Sequence, residues 1–290
     1  MRKGKQYIFE VAQEVPYDIT GIQIGYQVRK KLYEGKSAFQ RVEVYNLMFF
    51  GRTLFLDGVL QTAEQDEFIY HEMLCQAPLF LHPSLGNVLI IGGGDGGALR
   101  EVLKHRSVKK AVVVEIDGKV VKLSRKYLPF LSKNAFSDKR TKLVIEDGKK
   151  FIKKHKSEFD VIILDLSDPN GPSKDLISLP FYKNIKQALR SNGIVSVQSG
   201  SFITQPKLVS TISKRLQKVF SHVQVRKAVV PSYYAGEYIF TLASDYNFSK
   251  VTLGTLAKRY KASKMRLKYW SPEIHQASSV LPLYLKQELK

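Results

Sequence analysis

Val88-Leu89-Ile90-Ile91-Gly92-Gly93-Gly94-Asp95-Gly96-Gly97 is an apolar run that breaks into a glycine-rich turn holding one carboxylate. A second run, Asp160-Val161-Ile162-Ile163-Leu164, breaks in the same way into Asp165-Leu166-Ser167-Asp168-Pro169. Short, wholly apolar runs of this kind read as strands buried on both faces. A parallel sheet brings the carboxyl ends of its strands to one edge, and open α/β sheets bind ligands there. That edge would carry a glycine loop and several acids in a chain whose net charge is +20. The pattern suits a cationic ligand attached to a nucleoside.

Working outward from these runs, strands and helices alternate from Asn87 onward. Strands are expected at Val88–Ile91, Ala111–Ile116, Leu143–Ile145, Val161–Leu164, Ile194–Gln198, Val223–Val229 and Tyr238–Leu242. Helices are expected at Ala98–His105, Gly118–Tyr127, Lys149–Lys154, Pro180–Arg190 and Gln205–Val219. This alternation implies an α/β fold with a mostly parallel sheet covered on both faces. Only a short turn around Pro231 to Gly236 separates the last two strands, which predicts an antiparallel hairpin at the sheet's end. That is the Rossmann-like arrangement of the S-adenosylmethionine methyltransferase type.

Upstream, residues 1–64 read as a small antiparallel β-domain. Gly21–Val28 and Phe39–Tyr45 alternate apolar and polar residues, as half-buried strands do. Thr53–Leu56 and Val59–Gln61 flank Asp57-Gly58, a signal for a tight hairpin turn. A helix from about Glu67 to Leu79 follows. The expected division is therefore an N-terminal β-domain, 1–64, serving as lid or oligomerisation unit, and a catalytic domain, 65–290, ending in a helical extension.

Bulk properties remove several classes. The lone Cys75 excludes an internal disulfide, and no apolar stretch reaches the about 20 residues of a membrane-spanning helix. The basic N-terminus lacks the apolar core of a signal peptide, so the chain reads as cytoplasmic. Its 46 lysines and arginines are spread along the sequence, which fits a solvated surface of a heat-adapted protein better than a nucleic-acid-binding face.

Gly92, Gly94 and Gly97 fit G-x-G-x-x-G between a strand and a helix, a pattern shared by nicotinamide, flavin and S-adenosyl enzymes. Asp95 inside the loop would repel a pyrophosphate and attract an ammonium or sulfonium, or else cap the next helix. Glu115, ending the second strand, can accept both ribose hydroxyls. Asp147-Gly148 follows the third strand and could contact an adenine amino group, although Asp-Gly is also a common turn. Asp165 emerges from a buried strand, where an idle charge is costly. With Asp168 it forms a pair able to hold a diamine and take a proton from it; the bland alternative is a helix cap beside water or a metal.

Taken together, Gly92–Gly97, Asp147-Gly148, Asp165–Pro172, Leu56–Gln61 and Asp66–Glu72 resemble the spermidine synthase family of polyamine aminopropyltransferases, with Leu267–His275 similar to archaeal and thermophilic members. The resemblance implies transfer of an aminopropyl group from decarboxylated S-adenosylmethionine, a co-substrate, to putrescine, agmatine or a longer amine, with 5′-methylthioadenosine as second product. No cofactor, metal or membrane is implied, and a homodimer or homotetramer is. By the same resemblance, Gln40 and Glu115 hold the ribose, and Asp147, Gly148 and Pro172 surround the adenine. Asp95, Gln61 and His71 hold the aminopropyl ammonium. Tyr70, Asp168 and Tyr233 line the acceptor channel, and Asp165 accepts the proton. Leu166 departs from the family's usual Ser in Asp-Ser-Ser-Asp, and Glu237 is a candidate for a distal ammonium. The rival readings are an S-adenosylmethionine-dependent methyltransferase, which needs neither the β-hairpin nor the Asp165/Asp168 pair, and a nonenzymatic nucleic-acid- or polyamine-binding protein.

Overall fold

The computed structural model describes residues 6–11, 23–168, 175–233 and 236–289. An antiparallel sheet of five strands runs in sequence order: β1 (Gln6–Val11), β2 (Gln23–Lys36), β3 (Arg41–Leu47), β4 (Gly51–Leu56) and β5 (Val59–Ala63). Asp57 and Gly58 join β4 to β5 with φ of 49° and 82°, the positive pair that a primed hairpin turn requires. β2 extends to Lys36, well past the expected Val28. β1 is a strand that the sequence reading missed, because its few apolar residues sit in a basic N-terminal segment without a clear alternating run.

Helix α1 (Glu67–Leu81) leads into a second sheet of seven strands. Its strands are β6 (Asn87–Gly92), β7 (Lys110–Glu115), β8 (Thr141–Ile145), β9 (Phe159–Asp165), β10 (Leu189–Ser201), β11 (His222–Val229) and β12 (Glu237–Ser244). Their spatial order is β11-β12-β10-β9-β6-β7-β8. The five strands from β10 to β8 are parallel, while β12 lies antiparallel between β10 and β11. The terminal hairpin thus forms as expected, with its second strand inserted next to β10.

Between the strands run α2 (Gly97–Leu103), α3 (Gly118–Tyr127), α4 (Pro129–Ser132), α5 (Gly148–Ile152), α6 (Leu179–Ala188) and α7 (Pro206–Gln217); α8 (Leu253–Ser263), α9 (Pro272–Ala277) and α10 (Leu283–Glu288) form the C-terminal extension. α6 stops at Ala188 rather than Arg190, because Leu189 already pairs with Phe159 in the sheet.

Alternate residues of each buried strand feed separate cores. Ile90, Val113, Val161 and Ile163 pack under α1, α2 and Trp270, whereas Leu89, Val112, Ile162 and Leu164 pack under α5, α6 and α7. The strand connections depart in opposite directions from β6 and β9, so the ligand crevice of such a sheet opens at their carboxyl ends. Among the described residues, no helix is long and apolar enough to cross a membrane.

The C-terminal extension is held by a buried charge. Glu72 on α1, 1% exposed, accepts the backbone N–H groups of Lys268, Tyr269 and Trp270 at 2.8–2.9 Å. Trp270 then stacks on Phe80 at 4.7 Å between ring centroids. Charge-assisted acceptors of this kind are costly to weaken because the donors stay buried. Glu72→Gln should destabilise the protein by about 3 kcal/mol, read as a lower denaturation midpoint. An unchanged midpoint would show that the extension is held by packing alone.

Candidate active site

Two glycines allow the β6 and β9 ends to meet. At Gly92 a Cβ would lie 2.0 Å from the Asp165 carbonyl oxygen, and the neighbouring Gly93 N–H donates to that oxygen at 2.9 Å. At Gly97 a Cβ would strike the His71 ring at 2.3 Å. The first absence seats the glycine loop on Asp165, and the second lets His71 lie across the start of α2.

Asp95 makes the cap contact and faces the site at once. Its Oδ1 accepts the Gly97 N–H at 2.7 Å, while Oδ2 lies 3.5 Å from His71 Nε2. His71 Nδ1 lies 2.7 Å from Glu67 Oε2. Glu67 in turn accepts two hydrogen bonds from Arg100, at 2.8 and 2.9 Å, and Arg100 is also tied to the Leu131 carbonyl and to Glu101. Burial alone would raise Glu67, but His71 and Arg100 outweigh it and bring its carboxyl down to about 2. Burial alone would lower His71, but Asp95 and Glu67 outweigh it and hold the ring well above its ordinary value. Burial likewise works against ionised Asp95, and the facing His71 brings it below the usual carboxylate range. The result is a buried alternation of charges, Arg100, Glu67, His71 and Asp95.

Among the described residues, no lysine or arginine pairs with Asp165. Tyr70 donates to its Oδ1 at 2.7 Å, while its buried Oδ2 has no hydrogen-bond partner. Burial, reinforced by nearby Asp95, pushes the carboxyl up to about 6. One ligand-type atom from each of His71, Asp95 and Asp165 lies within 4.8 Å of the others. That spacing would suit a metal ion or an organic cation. A protonated His71 has no lone pair to offer a metal, which favours the organic cation.

Aromatic rings wall the crevice beside Asp165. Tyr70 is 5.9 Å from Tyr233, 5.8 Å from Tyr238 and 5.6 Å from Phe240, measured between ring centroids. Tyr233 donates to the Gln61 carbonyl at 2.7 Å, which ties β5 to the β11–β12 turn. Asp66 fixes the same turn by accepting the Ser232 N–H at 2.6 Å. Asp168 accepts from Gln205 at 2.8 Å and is raised by burial. Glu10 on β1 is also buried; burial pushes it up to about 7, with Asp168 contributing, and it is tied to the Tyr26 hydroxyl and the Leu60 N–H.

On the other side of the glycine loop, Glu115 accepts the N–H groups of Asp117 and Gly94 at 2.8 and 3.1 Å. Burial pushes its carboxyl up to about 7. Gln40, arriving from the N-terminal sheet, donates to Asp117 Oδ2 at 3.0 Å. Asp147 caps α5 by accepting the Lys149 N–H at 2.7 Å, with Gly148 buried against Ile91. Pro172 and the rest of the turn from Pro169 to Lys174 lie outside the described residues, as do Tyr234 and Ala235.

The sequence-chosen residues Tyr70, His71, Asp95, Asp165 and Tyr233 thus come together. Glu237 does not join them: Tyr238 and Phe240 face the site, while Glu237, one place along the strand, pairs with Lys227. Sequence reasoning missed Glu67, Arg100, Asp117, Tyr238 and Glu10. Two of these carried a signal: Tyr238, as the strand neighbour in phase with Phe240, and Glu67, four residues before His71 on the same helix.

Residues 67–253 match the family model described as the spermine/spermidine synthase domain, and residues 13–64 match the spermidine synthase tetramerisation domain. A polyamine aminopropyltransferase of Thermoanaerobacter sp. (strain X514) is 41% identical over 261 residues, covering 90% of this chain and 92% of that protein. One from Ruegeria sp. (strain TM1040) is 42% identical over 262 residues, with coverage of 90% and 92%. Among solved structures, a spermidine synthase in complex with the transition-state analogue AdoDATO superposes with a TM-score of 0.92 at 36% identity, covering 98% of this chain and 94% of that one. The spermidine synthase of Thermotoga maritima gives 0.88 at 35%, with the same coverage. On these matches, which span both sheets and the crevice between β6 and β9, the chain belongs to the spermidine synthase family of polyamine aminopropyltransferases.

Proposed function

We propose that the β6/β9 crevice transfers an aminopropyl group from decarboxylated S-adenosylmethionine to a primary amine, with Asp165 as proton acceptor. The observation that carries this reading is the Asp165 Oδ2 atom, without a hydrogen-bond partner among the described residues, beside a tyrosine cage and the Asp95 carboxylate of the glycine loop. On the donor side, Glu115 and Gln40 take the ribose, and Asp147 and Gly148, with Pro172, take the adenine. Asp95 and Gln61 take the aminopropyl ammonium. With its two ring nitrogens facing Glu67 and Asp95, His71 acts through Asp95, keeping that carboxylate ionised and aimed. On the acceptor side, Tyr70, Tyr233 and Asp168 enclose the amine, whose methylenes suit aromatic walls and whose ammonium groups suit their faces.

The chemistry follows from charge. An alkylammonium has no lone pair at neutral pH, so the attacking nitrogen must lose a proton to Asp165. As it does, nitrogen bonds to the propyl carbon, the carbon–sulfur bond breaks, and its electron pair stays on sulfur as a neutral thioether. A carboxyl raised to about 6 is a stronger base than an ordinary aspartate yet remains ionised at neutral pH. Tyr70 holds one oxygen so that the other faces the nucleophile, and such placement supplies much of the rate. The N-terminal sheet supplies Gln40 and Gln61 and is proposed to serve also as the surface on which copies assemble, supported by its match to a tetramerisation domain.

Incubation with decarboxylated S-adenosylmethionine and putrescine, cadaverine, agmatine or spermidine should yield 5′-methylthioadenosine and an aminopropylated amine. Failure with all four amines would defeat the assignment. Asp165→Asn should keep donor binding while lowering kcat by about 10² to 10⁴-fold; near-normal turnover would remove Asp165 from its role. The kcat/KM profile should fall as pH drops through about 6, because the base must be ionised. Tyr70→Phe deletes a hydrogen bond that lowers Asp165, so that acidic limb should move to higher pH; a limb that stays in place assigns it to another group.

A further inference from the structure

At the β11 edge of the large sheet, remote from the glycine loop in the fold, a second polar cluster lies outside the machinery of aminopropyl transfer. A cleft of about 400 Å³ opens between β11 and the C-terminal extension, within the size range of small-ligand sites. Its lining combines Arg226, His275 and Gln224 with the apolar side chains of Phe248, Val251 and Leu256. Arg226 is only 4% exposed and His275 only 5%. Arg226 donates from one terminal nitrogen to the His275 carbonyl and from the other to Gln224 Oε1 at 2.8 Å. Its Nε has no partner, nor has His275 Nδ1.

Neither acceptor of Arg226 carries a charge, and among the described residues no carboxylate pairs with it. Burial draws the guanidinium down to about 10, so it is still cationic at neutral pH. Burial, and then Arg226 itself, brings His275 down to about 3, which leaves a neutral imidazole beside it. Lys227, the next residue, is already paired with Glu237. A purely architectural role, tying β11 to the last turn of α9, would use the His275 carbonyl contact and the helix dipole. It would leave a buried positive charge unbalanced, and such a charge is costly.

We propose that this cleft binds a small organic monoanion, a carboxylate with an apolar body, whose charge is held by Arg226. A single guanidinium matches one negative charge, and the N–H groups of Arg226 beyond the two already donated to His275 and Gln224 remain for a carboxylate. A dianionic phosphate would overcompensate the one cation present. Gln224 is held in place by Arg226 and by its own donation to Ser249 Oγ at 2.9 Å. His275 Nδ1 is available for a further hydrogen bond, and Phe248, Val251 and Leu256 receive the hydrocarbon part.

The test titrates the full-length protein with sodium butyrate and sodium benzoate, following the thermal midpoint, against sodium chloride and sodium phosphate at matched ionic strength. Both carboxylates should raise the midpoint saturably, and chloride should not. Gln224→Glu places a carboxylate on Arg226 with almost no change of shape and should weaken butyrate binding by at least about tenfold. Arg226→Gln should weaken it equally; if that variant does not fold, Gln224→Glu decides alone. The proposal is overturned if the wild-type protein shows no saturable response, if Gln224→Glu responds as the wild type does, or if phosphate is the stronger ligand.

Discussion

Removing several carboxylates from water at one sheet edge is the constraint around which this site is arranged. Left alone, each would gain a proton or repel its neighbours. The chain answers with a buried alternation in which Arg100 balances Glu67 and His71 balances Asp95. Asp165 is left outside that arrangement, with a tyrosine hydroxyl on one oxygen and, among the described residues, no hydrogen bond on the other. That second oxygen is buried, while Glu67 and Asp95 face cations. Arg100 joins this series through Glu67, whose carboxyl it and His71 together hold low.

The same edge explains the division of labour between the two sheets. β6 and β9 bring the loop and Asp165 together, and the absence of side chains at Gly92 and Gly97 makes the approach possible. The N-terminal sheet contributes from above: Gln40 meets Asp117, and the Gln61 carbonyl meets Tyr233. The crevice is therefore closed by polar contacts between segments more than seventy residues apart in sequence, in addition to packing. Tyr70, Tyr233, Tyr238 and Phe240 help bury Asp165, and that burial, with the nearby Asp95 carboxylate, raises its proton affinity.

Legibility in the sequence followed the range of the interaction. The parallel strands were readable because Val88–Ile91, Val112–Val114 and Val161–Leu164 need no partner to declare themselves buried on both faces. Asp57-Gly58 declared its turn through local backbone preference. Asp95 was ambiguous between helix cap and ligand group; one of its oxygens accepts the Gly97 N–H at the start of α2 and the other faces His71. β1 and the extension of β2 past Val28 were less visible, because β1 is a short edge strand in a basic segment and Arg29-Lys30-Lys31 interrupts the apolar alternation of β2. Arg100, Asp117 and Arg226 could not be found from spacing: their meaning lies in partners 33, 77 and 49 positions away. Glu237 shows the opposite error, a charged residue near the site in sequence whose strand phase turns it to the other face.

The placement of β12 inside the sheet leaves β8 and β11 as its two outermost strands, each with backbone groups facing outward. An uncovered strand margin is a template for self-stacking into extended aggregates. Here Lys142 lies on β8 and Lys227 on β11, and the Lys227 N–H is taken by the Ser278 carbonyl of the C-terminal extension. In a protein of net charge +20, those flanks repel their counterparts on another molecule. Runaway polymerisation through the open sides of the sheet is thereby opposed both by covered amides and by like charge.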